Sequence, residues 1–396
     1  MELIVNNSIK NTYIPKLRFK EFNDSYFDVF LKDVLFYEQP TKYVVKTDKY
    51  DDSYETPVLT ANKSFILGKT NEQIGVYSKG PVILFDDFTT DNKYVDFKFK
   101  IKSSAIKLLT TNDKNNLFYL YNLINVNKLF QYGHNRHWIQ FTSNENRWIC
   151  TLKEQEKISK FIWFLDQQIS LLENKLQLME QKIKYFLKIL LTKKQQNYKI
   201  RFKNFNNDLE IKKIYEITTF IKSGGTPKSK NSLYYTNDQG INFLAIPDMK
   251  NKYLSKTAKH ITKLALENSS TFIFEKNNLL YSIYATIGEI CINKIDVALP
   301  QSILGIKVNH LVVKEYLYYL LVSNKEKIIK LSQTGSQPNL SLKIFKNIKL
   351  LITTDKNEQI KISKFLGTLD YQKFLIKRKI KKIKKRKLFY LKKMFI

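Results

Sequence analysis

Three polar segments carry side chains suited to holding nucleic acid. Lys222-Ser223-Gly224-Gly225-Thr226-Pro227-Lys228-Ser229-Lys230 and Gln333-Thr334-Gly335-Ser336-Gln337-Pro338-Asn339 combine cations, hydroxyls, amides and glycines, and His134-Asn135-Arg136-His137-Trp138 has similar character. Phosphate oxygens are met by Lys, Arg, hydroxyls and free backbone amides, and base edges by Asn, Gln, Arg and Lys. Loops of this makeup also serve as ordinary surface turns, so each segment alone has both readings.

Residue patterns for catalysis are weaker. There is no GxGxxG and no GxSxG, and the absence of Pro-Pro removes the Asn/Asp-Pro-Pro-aromatic motif of adenine methyltransferases. Gly68-Lys69-Thr70 has the end of a P-loop, but Lys63 stands where its first glycine belongs. His134 and His137 have metal-pair spacing without a nearby third ligand, and Asp86-Asp87 reads as a Mg²⁺ pair or as a turn. Cys150 and Cys291 form no CxxC or Cys/His cluster, as expected of a reducing cytosol. No metal or cofactor site is expected in this chain.

The elements that must position the polar loops come in two copies. Lys16-Leu17-Arg18-Phe19-Lys20 reappears as Lys199-Ile200-Arg201-Phe202-Lys203, and Glu154-Gln155-Glu156-Lys157-Ile158-Ser159-Lys160-Phe161 as Glu358-Gln359-Ile360-Lys361-Ile362-Ser363-Lys364-Phe365. Each half reads as a short lead-in, a mixed α+β region and a long helix. In the first helix, over 153–194, apolar residues alternate steps of four and three at Ile158, Ile162, Leu165, Ile169, Leu172, Leu176, Met179, Ile183, Phe186 and Leu190. That is a coiled-coil seam. Its counterpart over 356–394 repeats it, with Lys373 and Lys387 interrupting. Two such helices from similar halves are expected to pack antiparallel about a pseudo-twofold axis. The alternative is that each packs only on its own domain. The expected boundaries are a domain over 1–152, a helix over 153–197, a domain over 198–355 and a helix over 356–396. Within the domains, Val82-Ile83-Leu84-Phe85, Leu279 to Tyr284 and Tyr94 to Ile101 read as strands, and Leu117–Leu123 and Val313–Leu321 as helices.

The net charge is +31, from 67 Lys+Arg against 36 Asp+Glu, which points to a polyanionic partner. Lys-, Asn- and Ile-rich codon usage inflates that number, so its location matters more. From Lys373 to Lys393 there are twelve Lys/Arg and no acid. This stretch reads as a solvated coiled-coil face, a phosphate-contacting surface or a membrane-surface helix. Nothing reads as a signal peptide or a membrane span, so a cytoplasmic protein without membrane contact is expected.

Taken in order, these motifs resemble the specificity subunit of type I restriction–modification systems. Glu-Gln-x-Lys-Ile leading into a long helix is similar to that family's spacer helices, and Ser223-Gly224-Gly225-Thr226-Pro227 to the opening of many of its target recognition domains. Ala285-Thr286-Ile287-Gly288, Pro300-Gln301 (Asn-Gln in many members) and Gly335 to Leu340 follow in the usual order; Leu84 to Thr89 and Arg136-His137-Trp138 resemble another domain variant. The resemblance implies a non-catalytic, sequence-specific DNA-reading subunit, each domain reading half of a bipartite site in double-stranded DNA. It implies two copies of a methylation subunit with S-adenosylmethionine for adenine N6 methylation, and a motor-nuclease restriction subunit using ATP and Mg. The DNA contacts it implies are Lys63, Thr89, His134, Asn135, Arg136 and His137 in the first domain. In the second they are Lys222, Ser223, Gly224, Gly225, Thr226, Lys228, Tyr284, Thr286, Gln301, Thr334, Ser336, Gln337 and Asn339. Two readings outside the family are a nuclease with an unrecognised active site and a coiled-coil structural adaptor. Mg²⁺-dependent cleavage by the chain alone would separate the first, and absence of salt-dependent duplex binding the second.

Overall fold

The computed structural model describes residues 3–5, 13–62, 64–126, 129, 131, 133, 136–191, 193–194, 197–198, 200–237, 240–332 and 339–395. The chain divides into two compact units, Met1–Glu173 with Arg378–Ile396, and Asn174–Lys377. Both are α+β, and a stretch of each long helix belongs to each unit.

In the first unit an antiparallel sheet runs in the order Phe36–Glu38, Ile106–Thr110, Val82–Asp86, Asn92–Val95. A second sheet joins Ile66–Thr70, Thr56–Leu59 and Lys100–Ile101. The strand expected over Tyr94 to Ile101 is therefore two. Its first part stays beside Val82–Asp86, and its last residues pair with Thr56–Leu59. The alternation in sequence does not follow burial across that switch, since Phe97 is exposed and Phe99, Lys100 and Ile101 are all buried.

The second unit holds two five-stranded sheets. One is ordered Thr218–Ser223, Ile303–Val308, Leu279–Ser282, Ile290–Asn293, Tyr253–Leu254; the other Tyr235–Thr236, Lys259–Ile261, Ile241–Phe243, Val297–Ala298, Ile273–Phe274. Leu279, Tyr281, Leu304 and Ile306 fill the core against Tyr316, Leu317 and Leu320 of the helix Lys314–Ser323.

The repeated motifs turn out to be one joint, built twice. In the first unit the Arg18 guanidinium donates to both Glu154 carboxylate oxygens, at 2.8 and 2.7 Å. In the second, Arg201 does the same to Glu358, at 2.9 and 2.6 Å. The glutamine that follows ties two further segments together. Gln155 Nε2 donates to the Cys150 carbonyl at 2.8 Å, and its Oε1 accepts from Asn116 N at 2.9 Å, just ahead of the helix Leu117–Val126. Gln359 repeats this with the Thr353 carbonyl at 2.8 Å and Val313 N at 2.7 Å, ahead of Lys314–Ser323. Each joint thus fixes a lead-in segment (the strand Leu17–Phe19 in the first unit, an irregular stretch at Arg201 in the second), the end of the domain's last strand and a Tyr-rich helix to the first turn of a long helix. Bidentate Arg–carboxylate geometry and satisfied amides make such a joint directional.

The central helix spans Leu152–Leu191 and the last helix Lys356–Met394, 40 and 39 residues. At about 1.5 Å per residue each is about 60 Å long. The central helix stops short of residue 197 because Lys193–Lys194 pairs with Asn197–Tyr198. The two helices run antiparallel within each unit. In the first, Asp166 meets Lys387 at 2.6 Å and Glu173 meets Lys384 at 2.6 Å. In the second, Glu180 meets Lys377 at 3.1 Å, and the Phe186 and Phe365 rings pack edge to face at 4.8 Å. Ile158, Ile162, Leu165, Ile169 and Ile183 are buried, as are Ile362, Leu366, Leu369, Ile376, Ile380 and Ile383. The two seam lysines fit without breaking the pattern, since Lys387 donates to both Asp166 oxygens and Lys373 reaches Asp370 at 3.1 Å. No helix among the described residues is long and apolar enough to cross a membrane.

Candidate nucleic-acid interface

In the second unit, strand register decides which loops meet. Ser223, the last residue of its strand, lies opposite Leu304, and Ser282, the last of its strand, lies opposite Ile303. The loops leaving Ser223 and Ser282 and the loop arriving at Ile303 therefore emerge at one end of the sheet. Backbone bonds then close them on one another. Gly224 N donates to the Pro300 carbonyl at 3.2 Å, Ile283 N to Ser302 O at 2.9 Å and Leu340 N to Ile283 O at 2.9 Å, and Tyr284 bridges Asn339. Four stretches distant in sequence, around Gly224, Tyr284, Gln301 and Asn339, form one cluster.

The Gly-Gly pair is there for clearance. A Cβ on Gly224 would sit 1.7 Å from the Leu299 carbonyl oxygen, and one on Gly225 would sit 1.9 Å from Ser270 Oγ. Gly225 is buried, and its lack of a side chain lets the loop lie down on the sheet end. Ser282 organises the next loop: its hydroxyl donates to Thr286 O at 2.6 Å and accepts from Glu289 N at 2.8 Å. Between them Ala285 is held at φ 57°, a left-handed conformation unusual for alanine. Lys222, Thr226, Lys228, Thr286 and Gln301 are exposed on this cluster; Ser223, Gly224, Tyr284 and Asn339 are half-buried. Asn339 Oδ1 is buried with no hydrogen-bond partner among the described residues.

The first unit brings its candidates together differently. The strand Val82–Asp86 runs into a turn in which Asp86 Oδ1 accepts from the backbone N–H of Phe88 and Thr89, both at 2.9 Å. Asp87 then anchors a distant segment. Its carbonyl accepts from His137 N at 2.8 Å and from the His137 ring at Nδ1 at 2.9 Å, and its Oδ1 accepts from Trp138 N at 2.8 Å. Its Oδ2 lies 3.6 Å from Lys107 Nζ, both side chains being almost wholly buried. Because a carbonyl oxygen only accepts, His137 Nδ1 carries a proton. His137 is fully buried and holds the loop bearing exposed Arg136. Thr89 is half-buried on the facing turn, and its carbonyl accepts from Gln131 Nε2.

Lys63, His134, Asn135, Thr334, Ser336 and Gln337 lie outside the described residues. The roles of Asp87 and Ser282 have no signal in the sequence, since single polar residues at strand ends look like any turn. The Arg–Glu joint has one: two opposite charges are duplicated together.

The remaining readings of chemistry find other uses for their groups. Both carboxylates of Asp86-Asp87 are occupied by backbone N–H groups and Lys107. Gly68-Lys69-Thr70 is part of a strand. Burial pushes the Cys150 and Cys291 thiols up to about 12, so neither is a thiolate at neutral pH. Among the described residues no group of three His, Cys, Asp or Glu could hold a metal.

Residues 206–385 match the family described as Type I restriction modification DNA specificity domain. The chain is 32% identical over 359 residues to the type I restriction enzyme EcoR124I/EcoR124II specificity subunit of Escherichia coli, covering 86% of this chain and 85% of that one. It is 29% identical over 168 residues to the MjaIX specificity subunit of Methanocaldococcus jannaschii, covering 41% and 38%. Its fold is similar to the crystal structure of a type I restriction–modification S subunit from M. genitalium, with TM-score 0.67, 14% identity and coverage of 97% and 99%. A structure described as underlying complex assembly and conformational transition of the type I restriction–modification system matches with TM-score 0.57, 14% identity and coverage of 93% and 97%. With two similar α+β units, paired long helices and polar loops gathered on each domain, the chain belongs to the type I restriction–modification specificity subunits, which recognise DNA and are not themselves catalytic.

Proposed function

We propose that each unit carries one target recognition domain, that each domain reads one half of a bipartite site in duplex DNA, and that the paired helices set the distance between the halves. The observation that carries this is the doubled joint. The same Arg–Glu pair and the same Gln bridge start both long helices, whereas the loops above them differ. Shared joints with unlike loops fit a subunit that presents two different readers in one common way. The DNA is contacted by Lys222, Thr226, Lys228, Thr286 and Gln301 in one domain and by Arg136 and its neighbours in the other. Phosphate and base contacts divide among them by side-chain type.

The partners in this reading are two copies of a methylation subunit, bringing S-adenosylmethionine for adenine N6 methylation, and a restriction subunit using ATP and Mg, all in the cytoplasm. The central helix supports such docking. At every seventh position Phe164, Leu171, Leu178 and Tyr185 are more than half exposed, a second apolar stripe outside the buried seam. The test is to lengthen the central helix by four residues at its C-terminal end. The expected result is a methylation motif with a changed spacer and unchanged half-site sequences. An unchanged spacer would sink the proposal.

A further inference from the structure

Between Lys373 and Lys393 the last helix carries twelve Lys/Arg and no acid. Three of these cations bridge the helix pair, with Lys377, Lys384 and Lys387 meeting Glu180, Glu173 and Asp166, and Lys373 pairs with Asp370 of its own helix. Arg378, Lys382, Lys385 and Lys392 are exposed and have no ion-pair partner among the described residues. At 3.6 residues per turn they fall on the face turned away from Ile380, Ile383 and Met394, which are buried. The ridge they form is about 20 Å long, at about 1.5 Å per residue.

The central helix supplies an internal control. Its matching stretch, 169–189, has four lysines and two glutamates, and its outer face exposes Leu171, Leu178 and Tyr185 instead. Both helices belong to one chain with one codon usage and carry the same seam. Compositional drift would load both with lysine, and only one is loaded. A membrane-surface helix needs an apolar face free to insert beside its cations. Here the main apolar face is spent on the seam, and within 378–395 only Leu388 and Phe389 remain exposed among the large apolar side chains. A row of unneutralised cations repels itself, and a polyanion relieves that while counterions are released.

We propose that Arg378, Lys382, Lys385 and Lys392 form a contact surface for the phosphate backbone of duplex DNA, separate from the loops that read sequence. It contributes affinity without specificity, because phosphates carry no sequence information. The proposal needs only that the chain binds DNA, and it survives if the bipartite reading fails.

The test measures duplex affinity across a salt series, using the full chain with its methylation subunits, one duplex carrying the methylated motif and one of random sequence. The variant combines Arg378→Gln, Lys382→Gln, Lys385→Gln and Lys392→Gln. The slope of log affinity against log salt is expected to become shallower by about 3 to 4 units on both duplexes, about 0.9 for each phosphate no longer neutralised, with the methylated motif unchanged. Should the fourfold variant not fold, Lys385→Gln alone is expected to lower the slope by about one unit. An unchanged slope overturns the proposal, as does an equal effect per charge from Lys175→Gln with Lys182→Gln on the central helix. Loss of methylation-subunit binding with the slope unchanged would assign the ridge to a protein partner, and also overturns it.

Discussion

Arg18 grips Glu154 in the first unit as Arg201 grips Glu358 in the second, atom for atom, yet the candidate DNA-contacting faces they support share almost nothing. The first face is pinned from beneath by a buried Asp87–Lys107–His137 cluster. The second is laid down on its sheet by two glycines with no room for a side chain and by the Ser282 hydroxyl. The joint is the same in both units, while the polar loops and what holds them differ. In this chain, then, the repeated residues build the joint, and the polar loops proposed to contact DNA are not repeated.

The largest expected effect tests the joints against each other. Glu154→Gln leaves Arg18, 3% exposed, without a counter-charge, whereas Glu358→Gln leaves Arg201, 17% exposed. Arg201 also donates to the Asn207 carbonyl at 2.7 Å. Breaking a buried pair from one side costs about 3–5 kcal/mol, so denaturant unfolding is expected to show that full loss for Glu154→Gln and a smaller one for Glu358→Gln. Equal losses would mean that the difference in burial between the two joints has no energetic weight.

Next comes the glycine cradle. Gly224→Ala is expected to push the loop off Leu299 and cut methylation of motif-bearing duplex at least tenfold, about 1.4 kcal/mol, with the unfolding midpoint nearly unchanged. A drop in the midpoint that matches the loss of methylation would move Gly224 from recognition to stability. The smallest effect belongs to the seam lysine. Lys387→Met frees Asp166, whose side chain is 35% exposed and can rehydrate, so stability is expected to shift by no more than about 1 kcal/mol. A loss as large as that of Glu154→Gln would show that the seam depends on this pair.

Much of the scaffold was legible in sequence because periodicity reports a buried face directly. The seam residues follow from spacing, the second helix over Lys356–Met394 from repetition of the first, and the core strand at Val82–Asp86 from a short apolar run. The exact end of the central helix was not legible, since nothing local marks the pairing of Lys193–Lys194 with Asn197–Tyr198. Nor was the break after Val95, because one alternating run serves two sheets. The recognition loops were legible in composition but not in role. His137 has the residue type of a DNA contact and sits fully buried, and Gly225 sits against Ser270, a neighbour forty-five positions on. Composition names candidates; only long-range packing says which of them reach the surface.

The central claim is that two unlike faces read two separate halves of one site. The most direct measurement is the adenine methylome of cells carrying this chain with its methylation subunits, compared among the parent, Arg136→Ala and Gln301→Ala. The account predicts a split motif in which Arg136→Ala relaxes one half and Gln301→Ala the other, each leaving the opposite half intact. A continuous motif, or one in which either substitution alters both halves, would contradict it.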